Sequence, residues 1–182
     1  MKLETRYSNH PNDVKHYTTE QLREHFLIEE VFVKDEANLT YSHNDRIIAG
    51  GIMPVHQVLT LEAGKEMGVE TFFERREGGI INIGGKGIIT LDGEIYELDY
   101  QDGLYIGMGV KEIAFKTVDE SHPPKFYFNS APAHHHYPHT LIVRLFDSAS
   151  DPKCTLFAFS RVINVCVSFH GATGRNSPFS RS

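Results

Sequence analysis

Residues Thr71 to Gly109, TFFERREGGIINIGGKGIITLDGEIYELDYQDGLYIGMG, decide the fold. Apolar residues in this stretch alternate with polar ones or fall in short β-branched runs: Ile80-Ile81, Ile88-Ile89-Thr90-Leu91 and Ile95-Tyr96-Glu97-Leu98. Turn-forming residues separate the runs, at Gly78-Gly79, Gly84-Gly85-Lys86-Gly87, Asp92-Gly93 and Asp102-Gly103. Short apolar runs at this spacing, punctuated in this way, predict strands joined by tight turns. Asp92-Gly93 is the sharpest of these signals, because a two-residue hairpin loop needs positive φ at both central positions. Strands so short and so close together must bury one face each, which predicts an all-β fold, either a β-sandwich or a jelly-roll barrel.

Outside this stretch the chain is less regular. Residues 1–19 are polar and turn-rich, and Thr18-Thr19-Glu20-Gln21 then reads as the entry to a short N-terminal helix, with Thr18 as N-cap and Gln21 reaching back to it. Ile28 to Val33 suits a strand. Leu39 to Pro54 reads as strand, turn and strand, Val55 to Leu61 as a further strand, and Ala63 to Gly68 as a turn or a brief helix. Glu112 to Lys116 and Lys125 to Asn129 complete the strand set. The expected domain covers residues 1–139, with its core over about 39–130.

At 182 residues the chain is long enough for one well-buried domain with an extension. Its net charge of −6 argues against a nucleic-acid surface. Behind that figure lies a split. Residues 1–139 carry 13 Lys and Arg against 22 Asp and Glu, whereas residues 140–182 carry five against two and no Glu. Residues 140–182 therefore read as a divergent, irregular tail, frameshifted or disordered, with Leu156 to Phe169 as its one apolar segment. Met1-Lys2-Leu3-Glu4 leads into a polar segment rather than the apolar core of a signal peptide, and no apolar run is long enough for a membrane span. The expectation is a cytoplasmic protein with neither a membrane nor a nucleic-acid partner. Cys154 and Cys166 are expected as free thiols, too far apart for a C-x-x-C redox pair.

Three groups of residues invite a chemical reading. His134, His135, His136 and His139 are the most visible, since imidazole is the commonest zinc ligand and His134 and His136 would share one face of an extended strand. Pro138 interrupts such a strand, and no carboxylate follows closely, so an exposed polar loop competes with the metal site. Glu74-Arg75-Arg76-Glu77 offers Arg75 and Arg76 to the carboxylate of an anionic sugar, since guanidinium is a planar fork. The competing reading pairs Arg75 with Glu77 on one strand face. Gly84-Gly85-Lys86-Gly87 lacks the spacing and the Ser or Thr of a nucleotide-phosphate loop and is expected to be a turn.

Several blocks together carry a family resemblance: Asp45 to Pro54 (DRIIAGGIMP), Phe73 to Glu77 (FERRE) with Ile81 to Gly85 (INIGG), Asp102 to Gly107 (DGLYIG), and Lys125-Phe126-Tyr127 followed by Ala131-Pro132-Ala133-His134. In that order the chain resembles the N-terminal half of the 5-dehydro-4-deoxy-D-glucuronate isomerases, also called 4-deoxy-L-threo-5-hexosulose-uronate ketol-isomerases, from about Glu4 to Pro138. The resemblance implies a cupin-like barrel, a homo-oligomer, zinc as cofactor, and an aldose–ketose isomerisation of a uronate-derived sugar acid in pectin breakdown. It further implies that the zinc ligands, three His and one Glu including an H-x-H-x4-E segment, belong to a second barrel. No such segment occurs in this chain. From the resemblance, zinc is therefore not expected on this chain and catalysis is expected to be impaired. A non-catalytic uronate-binding or oligomerisation module is the alternative expectation.

Overall fold

The computed structural model describes residues 1–143, and the apolar segment and cysteines anticipated beyond them lie outside the described residues. Among the described residues eleven strands form in chain order: β1 (Lys2–Arg6), β2 (Glu36–Ser42), β3 (Ile48–Met53), β4 (Leu59–Thr60), β5 (Arg76–Asn82), β6 (Gly87–Leu91), β7 (Glu94–Leu98), β8 (Gly103–Ile106), β9 (Ile113–Thr117), β10 (Phe126–Pro132) and β11 (Thr140–Ile142). Two short helices, α1 (Pro11–Val14) and α2 (Thr19–Phe26), lie between β1 and β2. The strands build two sheets, a seven-stranded one in the order β1-β2-β3-β10-β5-β8-β11 and a four-stranded one in the order β4-β9-β6-β7. Among the described residues each sheet keeps two edge strands, so they form an all-β sandwich and not a closed barrel.

Alternation along the central strands explains why the layers stack. On β10, Phe126 and Phe128 have no exposure, and on β5 Ile80 has none, while the residues between them are only partly covered or are small. In a strand successive side chains take opposite faces, so these residues form one continuous apolar surface. Phe72 and Phe73, just before β5, enter the same space. Their rings lie 5.1 Å apart at 60°, and Phe72 meets Phe128 at 5.7 Å and 69°. Edge-on contacts of this kind add about 0.5–1.5 kcal/mol per pair beyond the area buried. Between the layers Phe115 of β9 packs on Phe126 at 5.6 Å. The interior is thus filled by aromatic and branched side chains.

Several local expectations hold. Asp92 and Gly93 have φ of 46° and 91°, which closes the β6–β7 hairpin. Thr18 caps α2 with its hydroxyl accepting from Gln21 N at 3.3 Å, and the Gln21 side chain accepts from Thr18 N at 2.9 Å. Gly84 and Gly85 form a turn. A Cβ on Gly85 would sit 1.8 Å from His122 O, so the segment 122–125 packs too closely for any larger residue there.

Other expectations are corrected. Residues Ile28 to Val33 form no strand; they pass over β3, where a Cβ on Gly51 would meet Val31 O at 2.4 Å and the Phe32 ring at 2.7 Å. Only Leu59–Thr60 of the Val55–Leu61 segment pairs, with β9. The polar opening contains β1, which runs parallel to β2 with Leu3 opposite Leu39. Its signal is weak because only Leu3 of its five residues is apolar. Thr140 to Ile142, the first residues beyond the expected domain, form the edge strand β11 on β8.

Candidate functional site

The arginine pair sits where β5 begins. Strand alternation sends Arg76 to the same side as Gly78, Ile80 and Asn82, and it is only 6% exposed. Arg75 is left on the opposite side, its side chain 78% exposed and its Nε 3.5 Å from Glu74 Oε1. Arg75 and Arg76 therefore do not converge on one ligand. Nor does Arg75 pair with Glu77, whose carboxylate instead accepts from Tyr105 OH at 2.7 Å.

Arg76 is held on three neutral oxygens. Its Nε donates to Ser130 Oγ and its Nη2 to Ser130 O, both at 3.0 Å, and Nη2 also donates to the carbonyl of Arg46. Ser130 passes the bond on, donating from its hydroxyl to Glu77 O at 2.7 Å. The Arg46 carbonyl is within reach because Asp45 and Arg46 both take φ of 54° in the β2–β3 hairpin turn. The guanidinium carbon stands 5.8 Å from the centre of the Tyr41 ring. Burial pulls the Arg76 pKa down to about 10; Tyr41 opposes this and the charge of Arg46 adds to it. The group is still a cation at neutral pH.

The histidine segment lies between β10 and β11 and belongs to neither strand, so His134 and His136 do not share a strand face. His134 and His135 are exposed. His136 Nδ1 stands 2.6 Å from Met108 O and, facing a carbonyl, must be its donor. His139 Nδ1 stands 3.1 Å from Gly107 N and must be the acceptor. Burial pushes the His139 pKa down; Glu94 pulls it up, His136 adds to the fall and Asp92 opposes it. The two rings clip residues 136–139 to the turn after β8. Among the described residues, no group of three or more His, Cys, Asp or Glu is placed to hold a metal ion. The described side chains therefore assemble no zinc centre.

Two polar features gave no signal in sequence. Asn82, fully buried, donates to Gly85 O at 2.7 Å and to Leu98 O and Asp99 O at 3.1 Å, and accepts from Gly84 N at 3.1 Å. This fixes the glycine turn as a structural element. Asp35, at φ 58°, accepts from Val55 N at 2.9 Å, from His56 N at 2.7 Å and from His56 Nδ1 at 2.7 Å. The His56 backbone bond, foremost, holds the Asp35 carboxyl at about 2, with burial opposing and the His56 ring and Val55 adding. Neither asparagine nor aspartate in isolation announces such a role, since partners such as Leu98 for Asn82 and His56 for Asp35 lie 16 and 21 residues away.

No family model matches the chain. Among individual proteins it is 59% identical over 140 residues to the 4-deoxy-L-threo-5-hexosulose-uronate ketol-isomerase of Lachnoclostridium phytofermentans, covering 77% of this chain and 51% of that protein. The protein of the same name from Lachnospira eligens is 55% identical over 140 residues, 77% of this chain and 50% of its own length. That of Escherichia coli is 51% identical over 138 residues, with 75% and 50% covered. Solved structures are far more distant. A putative ethanolamine utilization protein from Salmonella typhimurium aligns at TM-score 0.35 and 16% identity, over 48% of this chain and 59% of that one. A cupin protein from Bacteroides fragilis aligns at 0.32 and 22%, over 52% and 70%. The chain spans about half the length of the curated relatives it matches. The matched three quarters of this chain belong to the 4-deoxy-L-threo-5-hexosulose-uronate ketol-isomerase family.

Proposed function

We propose that this chain supplies the β-sandwich portion of an intramolecular oxidoreductase converting 5-dehydro-4-deoxy-D-glucuronate to 3-deoxy-D-glycero-2,5-hexodiulosonate in uronate catabolism. The identity of 59% over 140 residues carries this reading. Such an aldose–ketose shift needs a base to take the proton beside a carbonyl, and a group to stabilise the negative oxygen of the enediol that follows.

The described residues favour a supporting part over a catalytic one. The space between the sheets, where a jelly roll can hold a ligand, is taken by Phe72, Phe73, Phe115, Phe126 and Phe128. The most conspicuous imidazoles, His136 and His139, are occupied with backbone groups. Zinc and the catalytic base are therefore proposed to be held outside this chain, and the sandwich to act as a scaffold within a homo-oligomer.

The test is turnover of 5-dehydro-4-deoxy-D-glucuronate by the purified 182-residue chain, with metal analysis of the same sample. Expected are turnover at the uncatalysed background and far less than one zinc per chain. Stoichiometric zinc with rapid turnover would overturn the scaffold assignment while supporting the isomerase one.

A further inference from the structure

Where β1 and α2 end, over the outer face of the seven-stranded sheet, lies a cleft of about 280 Å³. Its floor is small and hydroxyl-bearing. Thr40 and Ser42 alternate on β2 with the core residues Leu39 and Tyr41, and Ala49 stands opposite Thr40 on β3. Tyr7 and Phe26 line the cleft as well, 74% and 50% exposed. Each is held by a neighbouring ring: Tyr7 stacks on His43 at 4.7 Å and 9°, and Phe26 meets His25 at 6.3 Å and 62°. His43 and His25 are steadied in turn, by Tyr41 and by Tyr17, each 5.2 Å away. Arg6 Nη2 donates to Leu27 O at 2.8 Å and so ties the end of α2 to β1. Tyr7 and Phe26 make no ring contact with each other, which leaves space between two pre-set aromatic side chains.

The floor carries unused hydrogen-bonding capacity. Thr40 is only 7% exposed, and its hydroxyl has no hydrogen-bond partner among the described residues. Ser42 Oγ accepts from Asn44 N at 3.1 Å, which leaves its own O–H to donate. A buried hydroxyl without a partner is costly, so a ligand that satisfies it gains. The guanidinium at the cleft is already used, since Arg6 Nε pairs with Glu4 Oε1 at 2.9 Å. We propose that this cleft binds a neutral, flat heteroaromatic ring of the nucleobase class, stacked on Tyr7 and Phe26 with its polar edge on Thr40 and Ser42. Such a ring offers an apolar π-face to the aromatic side chains and hydrogen-bonding groups in its own plane. The volume lies near the lower end of ligand sites, about 300–1,000 Å³, and suits a single ring system. A sugar acid is a poorer match, because its hydroxyls would face Phe26, Ile28 and Ile47 and its carboxylate would meet a guanidinium already paired. The site is separate from isomerisation, and its test does not depend on turnover.

The experiment is an NMR titration of the full chain with adenosine, following the Tyr7 ring protons, with D-ribose, D-galacturonate and adenosine monophosphate as separate arms. Adenosine is expected to shift the Tyr7 resonances saturably, and ribose and galacturonate to leave them in place. The monophosphate should bind no more tightly than adenosine, because Arg6 is engaged with Glu4. Phe26→Ala should weaken adenosine about fivefold or more with the backbone amide spectrum otherwise unchanged. Thr40→Val, which keeps the shape and removes the hydroxyl, should weaken it about threefold. Tyr100→Ala removes an exposed ring outside the cleft and should leave the affinity as it was. Unmoved Tyr7 resonances, equal shifts with ribose or galacturonate, or tighter binding of the monophosphate would each overturn the proposal. So would unaltered affinity in Phe26→Ala or in Thr40→Val, or equal losses in Phe26→Ala and Tyr100→Ala.

Discussion

The interior of the sandwich and its arginine rim lie on the same faces of the same strands, yet they are built on opposite principles. Along β10, Phe126 and Phe128 sit in the hydrophobic core, and two residues later Ser130 meets a guanidinium. In the interior each contact is non-directional, and stability grows with the area removed from water. At the rim, stability depends on a few directed bonds that must offset the cost of burying a charge. The difference teaches where single contacts matter in this half of the family's length. A packed aromatic core tolerates small shifts of any one contact, whereas a buried cation held by neutral oxygens depends on each of its few directed bonds.

Three measurements press on this contrast. The largest effect is expected for Phe128→Ala, which opens a void beside Phe72 and Phe73 and should cost about 3–5 kcal/mol in urea unfolding. Arg76→Met should cost less, about 2 kcal/mol, because losing the bonds to Ser130 and Arg46 is partly offset by relief of the buried charge. If Arg76→Met were as damaging as Phe128→Ala, the rim would be a structural keystone and the contrast would fail. The smallest effect concerns His139, whose pKa is lowered in the fold by burial. The unfolded chain then binds the proton more readily, so the contribution is present above the ordinary histidine value of about 6.5 and is lost as pH falls through the lower folded value. Thermal unfolding should show this as a decline below about pH 6.5 that His139→Gln reduces.

Much of the fold was legible along the chain because its signals are local. Asp92-Gly93 specifies its own turn, and Thr18 with Gln21 caps its own helix. The strand β1 escaped because one apolar residue in five gives no periodicity, and its place depends on pairing with β2 more than 30 residues on. Ile28 to Val33 carried strand-like composition, but it is used to cover the surface left open by Gly51.

The candidate site was legible only in its residue types. Two adjacent arginines looked like one binding element, but a strand sends neighbours to opposite faces, so Arg75 and Arg76 have different lives. Arg46, 30 residues earlier, supplies the backbone carbonyl that the hairpin brings to Arg76. The histidines were visible as a cluster, while their opposite duties, His136 donating and His139 accepting, depend on which backbone group the turn after β8 presents to each.

By itself, the order of residues determined the β class, the hairpin at Asp92-Gly93, the capped helix and the family, since each is written in short-range periodicity or in directly comparable identities. Tertiary structure alone decided that the described strands form two open sheets, that the interior is filled with phenylalanine, and that Arg76 is buried beneath the carbonyl of Arg46. Those outcomes depend on contacts between residues far apart in the chain, whose closeness is set by strand register and the packing of two layers.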